Sequence, residues 1–357
     1  MFCEKRQIPF VGAPPRLKAL CPSGMAGTAG TVHRFVPNVS SQSSGQSMSE
    51  LRTRTAIAVP FVLAVAVVIG AAAIPQQAVM FIPFEGRALR LVNSVAFSPD
   101  DQTMYAALFH REVLAQRGRA DTTAGETALY SSQRIGERWS EPQLLSFSGR
   151  YADYEPALSP DGSMLVFNSK RPYADTRLPA RNDLWMVLRV DTGWSPPRRI
   201  NEITSFELEE SYATIDEDMR MIYVRGPTRE GTDDFDLYET RFERSGSAAT
   251  PRRLPFSGER YGEGDPQLAR DGSYVIFTRW DYAAGWQRTC DLYIAFRTQQ
   301  GWSDAIALTE LNTSNPDYGA AISSDDKWLF YRAGGALQRR ELQPIVAAAR
   351  SRLPARR

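Results

Sequence analysis

The sequence predicts an all-β protein that folds as a single β-propeller of four-stranded blades, preceded by one N-terminal hydrophobic helix. Two observations carry this prediction. Five segments of similar sequence recur along the chain, and equivalent residues in them are 61, 56, 54 and 54 residues apart. Each repeat also divides into four short apolar runs separated by turn residues, which is typical of a propeller blade.

The five repeats centre on a turn that reads, at its clearest, Ser-Pro-Asp-Gly. They are SVAFSPDDQTMYAA, EPALSPDGSMLVFNS, YATIDEDMRMIYVRG, DPQLARDGSYVIFTR and GAAISSDDKWLFYRA, with Pro99, Pro160, Asp216, Arg270 and Ser324 at the equivalent position. Asp-Gly between two apolar runs predicts a β-hairpin, because glycine takes a positive φ without strain. This turn therefore joins the first two strands of each blade.

A third strand and then a fourth follow in each repeat. The third strands contain Ala128–Tyr130, Asp183–Trp185, Asp236–Tyr238 and Asp291–Tyr293. A turn that often contains Trp-Ser leads to the fourth strand. The aromatic residues at the shared third-strand position, Trp185, Tyr238 and Tyr293, are expected in the core.

The number of blades follows from the two ends of the repeat region. The last repeat contains three strands, to Leu342, whereas Ala78–Phe84 resembles a fourth strand and precedes the first repeat. If that segment completed the last blade, it would close a ring of five blades without an open edge. A degenerate sixth blade within residues 107–127 is the alternative.

The repeats resemble those of TolB-type bacterial propellers, which are WD-like. The resemblance rests on Ser98-Pro-Asp-Asp, Ser159-Pro-Asp-Gly, the Asp-Leu-Tyr or Asp-Leu-Trp third strand and the Gly-Trp turn, and it covers roughly residues 78–342. It implies a propeller fold, found in the periplasmic TolB protein, in peptidase propellers and in other exported proteins. TolB itself is similar to six-bladed propellers with a separate N-terminal domain, and neither feature is evident here. The third repeat, Ile215–Asp218, also departs from the turn motif.

The N-terminal quarter of the chain contains an export segment. Thr55–Ile74 is uncharged and follows Arg52 and Arg54, so residues 48–75 are predicted to be a signal peptide or a membrane anchor. The protein is then expected in the bacterial periplasm or on the periplasmic face of the inner membrane, which residues 55–74 would cross if uncleaved. Residues 1–47 are interpreted as disordered or as an over-extended gene start, with translation beginning at Met48. Residues 76–343 form the propeller, and residues 344–357 a solvated basic tail.

Composition excludes several classes of function. The chain has a formal charge of +1, but residues 76–357 are mildly acidic, which argues against nucleic-acid binding. Cys290 and His110 are the only cysteine and histidine after residue 75, so neither a disulfide nor a cysteine-based or multi-histidine metal site can form there. No cofactor is expected. His110 lies in a polar stretch and is expected at the surface.

Acidic, tyrosine-containing segments precede the first strand of four repeats and are the candidate site. If the repeats are blades, symmetry places these segments together at the mouth of the central channel, where they could bind a cation, a basic peptide or a sugar. The alternative is a structural role, in which the carboxylates bond the backbone of the neighbouring blade. The candidate residues are Asp153, Tyr154, Glu155, Glu209, Glu210, Tyr212, Glu263, Asp265, Asp317 and Tyr318.

Arginines after the second strands are a further repeated feature, and they complete the functional hypotheses. Structural pairing with the third-strand aspartates Asp183, Asp236 and Asp291 is expected of Arg171, Arg225, Arg279 and Arg332. The leading hypothesis for function is a non-enzymatic module that binds or scaffolds an envelope protein or peptide. The alternative is a glycan hydrolase that uses two carboxylates among Asp153, Glu209, Glu263 and Asp317.

Overall fold

A computed structural model describes residues 81–84, 87–136, 138–172, 181–205, 207–227, 235–243 and 246–354, with backbone alone for residues 81–94. Within these ranges the protein is a five-bladed β-propeller, as the repeats predict. No helix in the described ranges is long and apolar enough to span a membrane. The predictions for residues 1–80, including the export segment at 55–74 and the start at Met48, lie outside them.

The first blade is the most elaborate. Its sheet has the order β3-β2-β1-β5-β4-β6, and β3 also pairs with β4. The helix α1 (His110–Gln116) fills the stretch in which a sixth blade was the alternative, so the structure has five. The strands are β1 (Phe81–Phe84), β2 (Arg87–Phe97), β3 (Thr103–Phe109), β4 (Thr127–Ile135), β5 (Arg138–Trp139) and β6 (Gln143–Leu144).

In the next three blades, three antiparallel strands are followed by one or two two-residue strands that pair with the third, and the last of these is the fourth strand of the blade. Blade two contains β7 (Asp153–Leu158), β8 (Met164–Ser169), β9 (Asp183–Val190), β10 (Gly193–Trp194) and β11 (Arg198–Arg199). Blade three contains β12 (Leu208–Ile215), β13 (Arg220–Pro227), β14 (Asp236–Arg241) and β15 (Arg252–Arg253). Blade four contains β16 (Tyr261–Leu268), β17 (Tyr274–Asp281), α2 (Trp286–Thr289), β18 (Asp291–Thr298), β19 (Gly301–Trp302) and β20 (Ile306–Ala307).

The fifth blade differs from the expected arrangement. It contains β21 (Tyr318–Ile322), β22 (Trp328–Ala333) and β23 (Ala336–Glu341), and then the helix α3 (Leu342–Arg350). The prediction that Ala78–Phe84 completes this blade is wrong for the described part of that segment. Phe81–Phe84 pairs instead with β2 and β5 of the first blade.

The predicted solvated tail, residues 344–357, is also wrong for its first half. Residues 342–350 form α3, whose apolar side chains lie four and three residues apart on one helical face. Leu342, Ile345, Val346 and Ala349 are buried in the same apolar cluster as Phe296 of blade four and Tyr331 of blade five. The helix is therefore part of the packed body.

The repeated turns fold as the sequence predicts, and side chains hold them closed. In blade two the hydroxyl of Ser159 donates to Asp161 at 2.6 Å and accepts from the backbone N–H of Met164 at 2.9 Å. Gly162 takes a φ of 73° within the turn. The following strand, β8, is buried along its whole length. The core lies mainly between neighbouring sheets, since four of the five apolar clusters draw on two blades and the fifth lies within blade one.

Candidate functional site

The first strands of successive blades lie side by side, in the order β2, β7, β12, β16 and β21, and line the propeller axis. The pairing of each with its second strand shifts in register at a bulge. At the bulge, Glu155, Tyr212, Asp265 and Gly319 take φ values of 51°, 52°, 46° and 67°. Left-handed backbone costs a residue with a side chain about 1 kcal/mol, and such strain concentrates at functional sites.

Side chains from three of these bulges converge, and we call Glu155, Tyr212 and Asp265 the axial cluster. The Tyr212 hydroxyl is hydrogen-bonded to Glu155, with Asp265 and Tyr154 close by. The charge of Glu155, followed by burial of the hydroxyl, raises the pKa of Tyr212 well above its ordinary value. Glu155 is 4% exposed and Tyr212 is 37% exposed as a whole residue. Tyr212 is therefore partly accessible, while its hydroxyl is buried against the Glu155 carboxyl.

Asp265 is the member of the axial cluster that comes from blade four. Its carboxylate accepts a hydrogen bond from the Thr278 hydroxyl at 3.3 Å and another from the backbone N–H of Gly319. Burial raises the pKa of this carboxyl, and these two hydrogen bonds oppose the shift. No cationic side chain of the described residues pairs with it. A bound cation would supply the opposite charge that the Asp265 carboxylate lacks.

Tyr154 and Glu209 border the axial cluster. The Tyr154 hydroxyl is hydrogen-bonded to the side chain of Asn182, and burial, with the charges of Glu155 and Glu209, raises its pKa above the ordinary range. Burial also raises the pKa of Glu209, while Lys170 acts in the opposite direction. Glu209 therefore adds a carboxyl from blade three beside the axial cluster.

Three of the predicted site carboxyls have a different role, as halves of what we call the clasp pairs. Each lies on a first strand and binds an arginine from the end of the second strand of its own blade. Asp153 binds Arg171 at 2.7 Å, Glu210 binds Arg225 at 3.0 Å and Glu263 binds Arg279 at 3.0 Å.

Each clasp arginine also fixes the loop that enters its blade. It donates to a backbone carbonyl in the connection from the preceding fourth strand, at Phe147 for Arg171, at Ile203 for Arg225 and at Phe256 for Arg279. Serine hydroxyls from the same loops donate to Asp153 and Glu263. The clasp pairs thus tie each blade to the loop from the blade before it.

The clasp carboxyls are closed to solvent. Asp153, Glu210 and Glu263 are each 0% exposed, as is Asp317 at the equivalent position of blade five. The Asp317 carboxylate accepts from the backbone N–H and the hydroxyl of Thr313. All four carboxyls have partners within the protein, but among the contacts of the described residues backbone N–H groups donate only to Glu210, from Ser205, and to Asp317, from Thr313. Tyr318 lies outside the axial cluster, where its ring meets that of Trp286 with 5.1 Å between centroids.

The predicted pairing of the repeated arginines with third-strand aspartates is wrong. Asp183 lies 4.0 Å from Arg199 and Asp236 lies 3.3 Å from Arg253, and both arginines come from fourth strands. Arg332 is in register with Tyr318 and not with Asp317, so it does not occupy the clasp position. The aromatic residues Trp185, Tyr238 and Tyr293 are half-buried and pack against the core clusters. The centroids of their rings lie 5.5, 4.5 and 5.1 Å from the guanidinium carbons of Arg171, Arg225 and Arg279.

His110 is not a surface residue, contrary to the expectation from its polar neighbours. It begins α1 and is 4% exposed, and its Nδ1 lies 2.6 Å from the Tyr130 hydroxyl. Burial lowers the pKa of His110 and raises that of Tyr130 to about 12. Cys290 is also buried, with a raised pKa. Among the described residues, no group of three or more His, Cys, Asp or Glu side chains is arranged to hold a metal ion.

Comparison with known proteins assigns the chain to no family. No protein-family model and no curated protein sequence matches the chain. Solved structures with a similar fold include a puromycin-hydrolysing peptidase from Mycobacterium tuberculosis, at 14% identity over 61% of this chain and 29% of that chain, with a TM-score of 0.38. Oligogalacturonate lyase in complex with manganese matches at 12% identity over 70% and 62%, with a TM-score of 0.40.

A protein of unknown function from Dyadobacter fermentans matches at 13% identity over 73% of this chain and 81% of that chain, with a TM-score of 0.46. The chain spans 29% to 36% of the length of two peptidases and a puromycin hydrolase with a similar fold. At these identities the likeness concerns the fold alone.

Proposed function

We propose that the protein is a binding module of the bacterial cell envelope whose axial mouth takes a basic segment of a protein or peptide. The observation that supports the proposal is the axial cluster. Glu155, Tyr212 and Asp265 come from three successive blades, and each is held by the same strained backbone conformation. Two carboxylates around a phenol suit a lysine or arginine side chain, which donates several hydrogen bonds and carries the opposite charge.

The burial of the clasp carboxyls weighs against the glycan hydrolase. A general acid must come within hydrogen-bonding distance of the glycosidic oxygen. Asp153, Glu263 and Asp317, three of the four candidates, are 0% exposed and hydrogen-bonded within the protein. Glu209, the fourth, would be left without a second carboxyl from that set.

The binding proposal is tested with the full-length protein and a fluorescein-labelled hexalysine peptide. Glu155→Gln and Asp265→Asn should each weaken binding about tenfold or more, because each removes one charged partner of the ammonium group. Glu217→Gln makes the same charge change as Glu155→Gln at an exposed residue of a turn beyond the other end of β12, and should stay within about twofold. Equal effects of Glu155→Gln and Glu217→Gln would contradict the proposal.

Asp265→Asn carries its own control for folding. A carboxyl whose pKa is raised in the folded protein stabilises the fold at low pH, and that contribution is lost as the pH rises through the raised value. The amide has no such loss. The variant should therefore melt at the same temperature as the native protein or higher at neutral pH, so weakened binding cannot be ascribed to unfolding. Because the pKa of Asp265 is raised, a larger fraction of its carboxyl is ionised at higher pH. The hexalysine affinity of the native protein should therefore increase with pH.

The envelope location is supported by the uncharged segment Thr55–Ile74 and by the resemblance of the repeats to those of TolB-type propellers. Alkaline phosphatase folds only where its disulfides can form, outside the cytoplasm. A fusion after residue 80 should be active in a Gram-negative host and inactive once residues 55–74 are deleted. Activity that survives the deletion would contradict export through this segment.

A further inference from the structure

The fifth blade presents a strand edge that is covered in the other four blades. In those blades the third strand pairs on its outer side with a two-residue fourth strand, which is β6, β11, β15 or β20. Within the described part of the chain, no strand pairs with the outer edge of β23. We call this edge the open edge.

The exposure of one equivalent leucine in each blade shows the difference between the open edge and the covered edges. Leu184, Leu237, Leu292 and Leu337 are each the second residue of their third strand, and Leu129 occupies the same place in blade one. The first four blades bury this leucine to 1% exposure or less, whereas Leu337 is 37% exposed. In the complete blades, apolar residues that follow the fourth strand, such as Ile200, Leu254 and Leu308, cover it. An exposed leucine at a position built for burial indicates a missing partner.

The backbone contacts of the complete blades specify that partner. The leucine carbonyl accepts a backbone N–H from the residue after the fourth strand, at 2.8 Å for Leu254 to Leu237 and also for Leu308 to Leu292. The leucine N–H donates to a side-chain oxygen that lies three or four residues after that apolar residue. The acceptor is Ser257 at 3.2 Å in blade three and Asn312 at 2.9 Å in blade four. A partner strand should therefore carry an apolar residue followed by Ser or Asn.

The charge of β23 restricts the charge that a partner strand can carry. In blade three, Glu239, the fourth residue of β14, pairs with Arg252 of the fourth strand at 3.4 Å. The fourth residue of β23 is Arg339, which is exposed and stacks on Trp328 at 4.2 Å, and Arg340 beside it is exposed as well. The complementary strand must then be acidic where blade three has Arg252. The segment Ala78–Phe84 contains no acidic residue, so it does not fit this edge.

We propose that the open edge is a docking site for an extended acidic segment of a partner protein, which adds the fourth strand of the fifth blade. Main-chain hydrogen bonds to β23 would supply affinity, and the contacts with Leu337 and Arg339 would supply specificity. This site is separate from the axial cluster and does not depend on the function proposed for it.

The experiment uses the full-length protein and two labelled peptides. The first has the sequence of residues 249–257 with Arg252→Glu and Arg253→Glu, and the second is the unchanged sequence. Fluorescence anisotropy should show that the acidic peptide binds at least about tenfold more tightly, and that the preference reverses in Arg339→Glu. Arg119→Glu makes the same charge change at an exposed residue of blade one and should leave the preference as it is.

Hydrogen exchange locates the bound peptide. The backbone N–H of Leu337 should exchange more slowly when the acidic peptide is present, because the added strand supplies its missing acceptor. Equal binding of the two peptides, no reversal in Arg339→Glu, or binding without protection of Leu337 would each overturn the proposal.

Discussion

Replacing Arg279 by leucine should destabilise the folded protein by about 3 kcal/mol at neutral pH, which is typical when one half of a buried pair is removed. Arg279 is 7% exposed and binds both the Glu263 carboxyl and the carbonyl of Phe256. Its guanidinium also lies against the rings of Tyr261 and Phe277. The substitution removes the side-chain donor of the Phe256 carbonyl and leaves the buried Glu263 carboxyl with the Ser257 hydroxyl but no cation. Urea denaturation measures the loss.

Arg260→Leu is the matched control, because Arg260 pairs with Asp281 at the same distance of 3.0 Å but its side chain is 73% exposed. Exposed pairs contribute little to stability, so the control should lose far less than Arg279→Leu. Equal losses in the two variants would show that the clasp pair adds nothing beyond a surface contact.

The pH dependence of the Arg279→Leu variant provides a second check. Burial raises the pKa of Glu263 to about 8, and Arg279 opposes that rise. Without the arginine the pKa should rise further. A carboxyl with a raised folded-state pKa loses its stabilising contribution as the pH increases through that value. The stability difference between the native protein and the variant should therefore grow above pH 8, where only the native protein retains a cation beside the carboxylate.

The blade count and the turns could be predicted from the sequence because their causes are local. Asp161 and Gly162 form the turn between β7 and β8 through hydrogen bonds that span five residues at most. The repeat interval then fixes the number of such hairpins. The destination of Phe81–Phe84 could not be predicted in this way, since pairing in the first or in the last blade depends on contacts between distant parts of the chain.

The candidate residues lie at the start of the first strands, where the structure separates them into two environments that the sequence did not distinguish. Asp153 and Glu155 are two residues apart, and in a regular strand both would point to the same face. The bulge after Tyr154 and the positive φ of Glu155 break this alternation. Asp153 therefore enters a clasp pair and Glu155 faces the axis. Of the four bulge residues, only Gly319 belongs to the type that commonly takes positive φ.

The clasp pairs have a signal in the sequence, which is the spacing between the carboxylate and the arginine. The arginine follows its carboxylate by 15 to 18 residues in three repeats, at Asp153 and Arg171, at Glu210 and Arg225, and at Glu263 and Arg279. In register, however, Arg225 and Arg279 lie opposite both a first-strand glutamate and a third-strand aspartate. Which neighbour is chosen depends on side-chain direction and on the loop carbonyl, and a single sequence contains neither.

Gly125→Ala should be the most disruptive single-methyl change in the first blade. A Cβ at Gly125 would lie 2.2 Å from the carbonyl oxygen and 2.4 Å from the carbonyl carbon of Tyr151. Both are backbone atoms, so no side-chain rotation relieves the clash. The Gly125 N–H also donates to the carbonyl of Gly149 at 2.9 Å, which fixes the loop that leads to Asp153. Overpacking of this kind costs about 3 kcal/mol.

Gly258→Ala is the matched control for this effect, because nothing lies within 4 Å of a Cβ at that position and its φ is not positive. Alanine there should leave stability unchanged or raise it by about 0.5 kcal/mol through the unfolded state. Thermal melts of the two variants decide the matter. If Gly125→Ala also melts near the native temperature, the loop before β7 can move away from blade one. The position of the Asp153 clasp would then be set by Arg171 and not by the neighbouring blade.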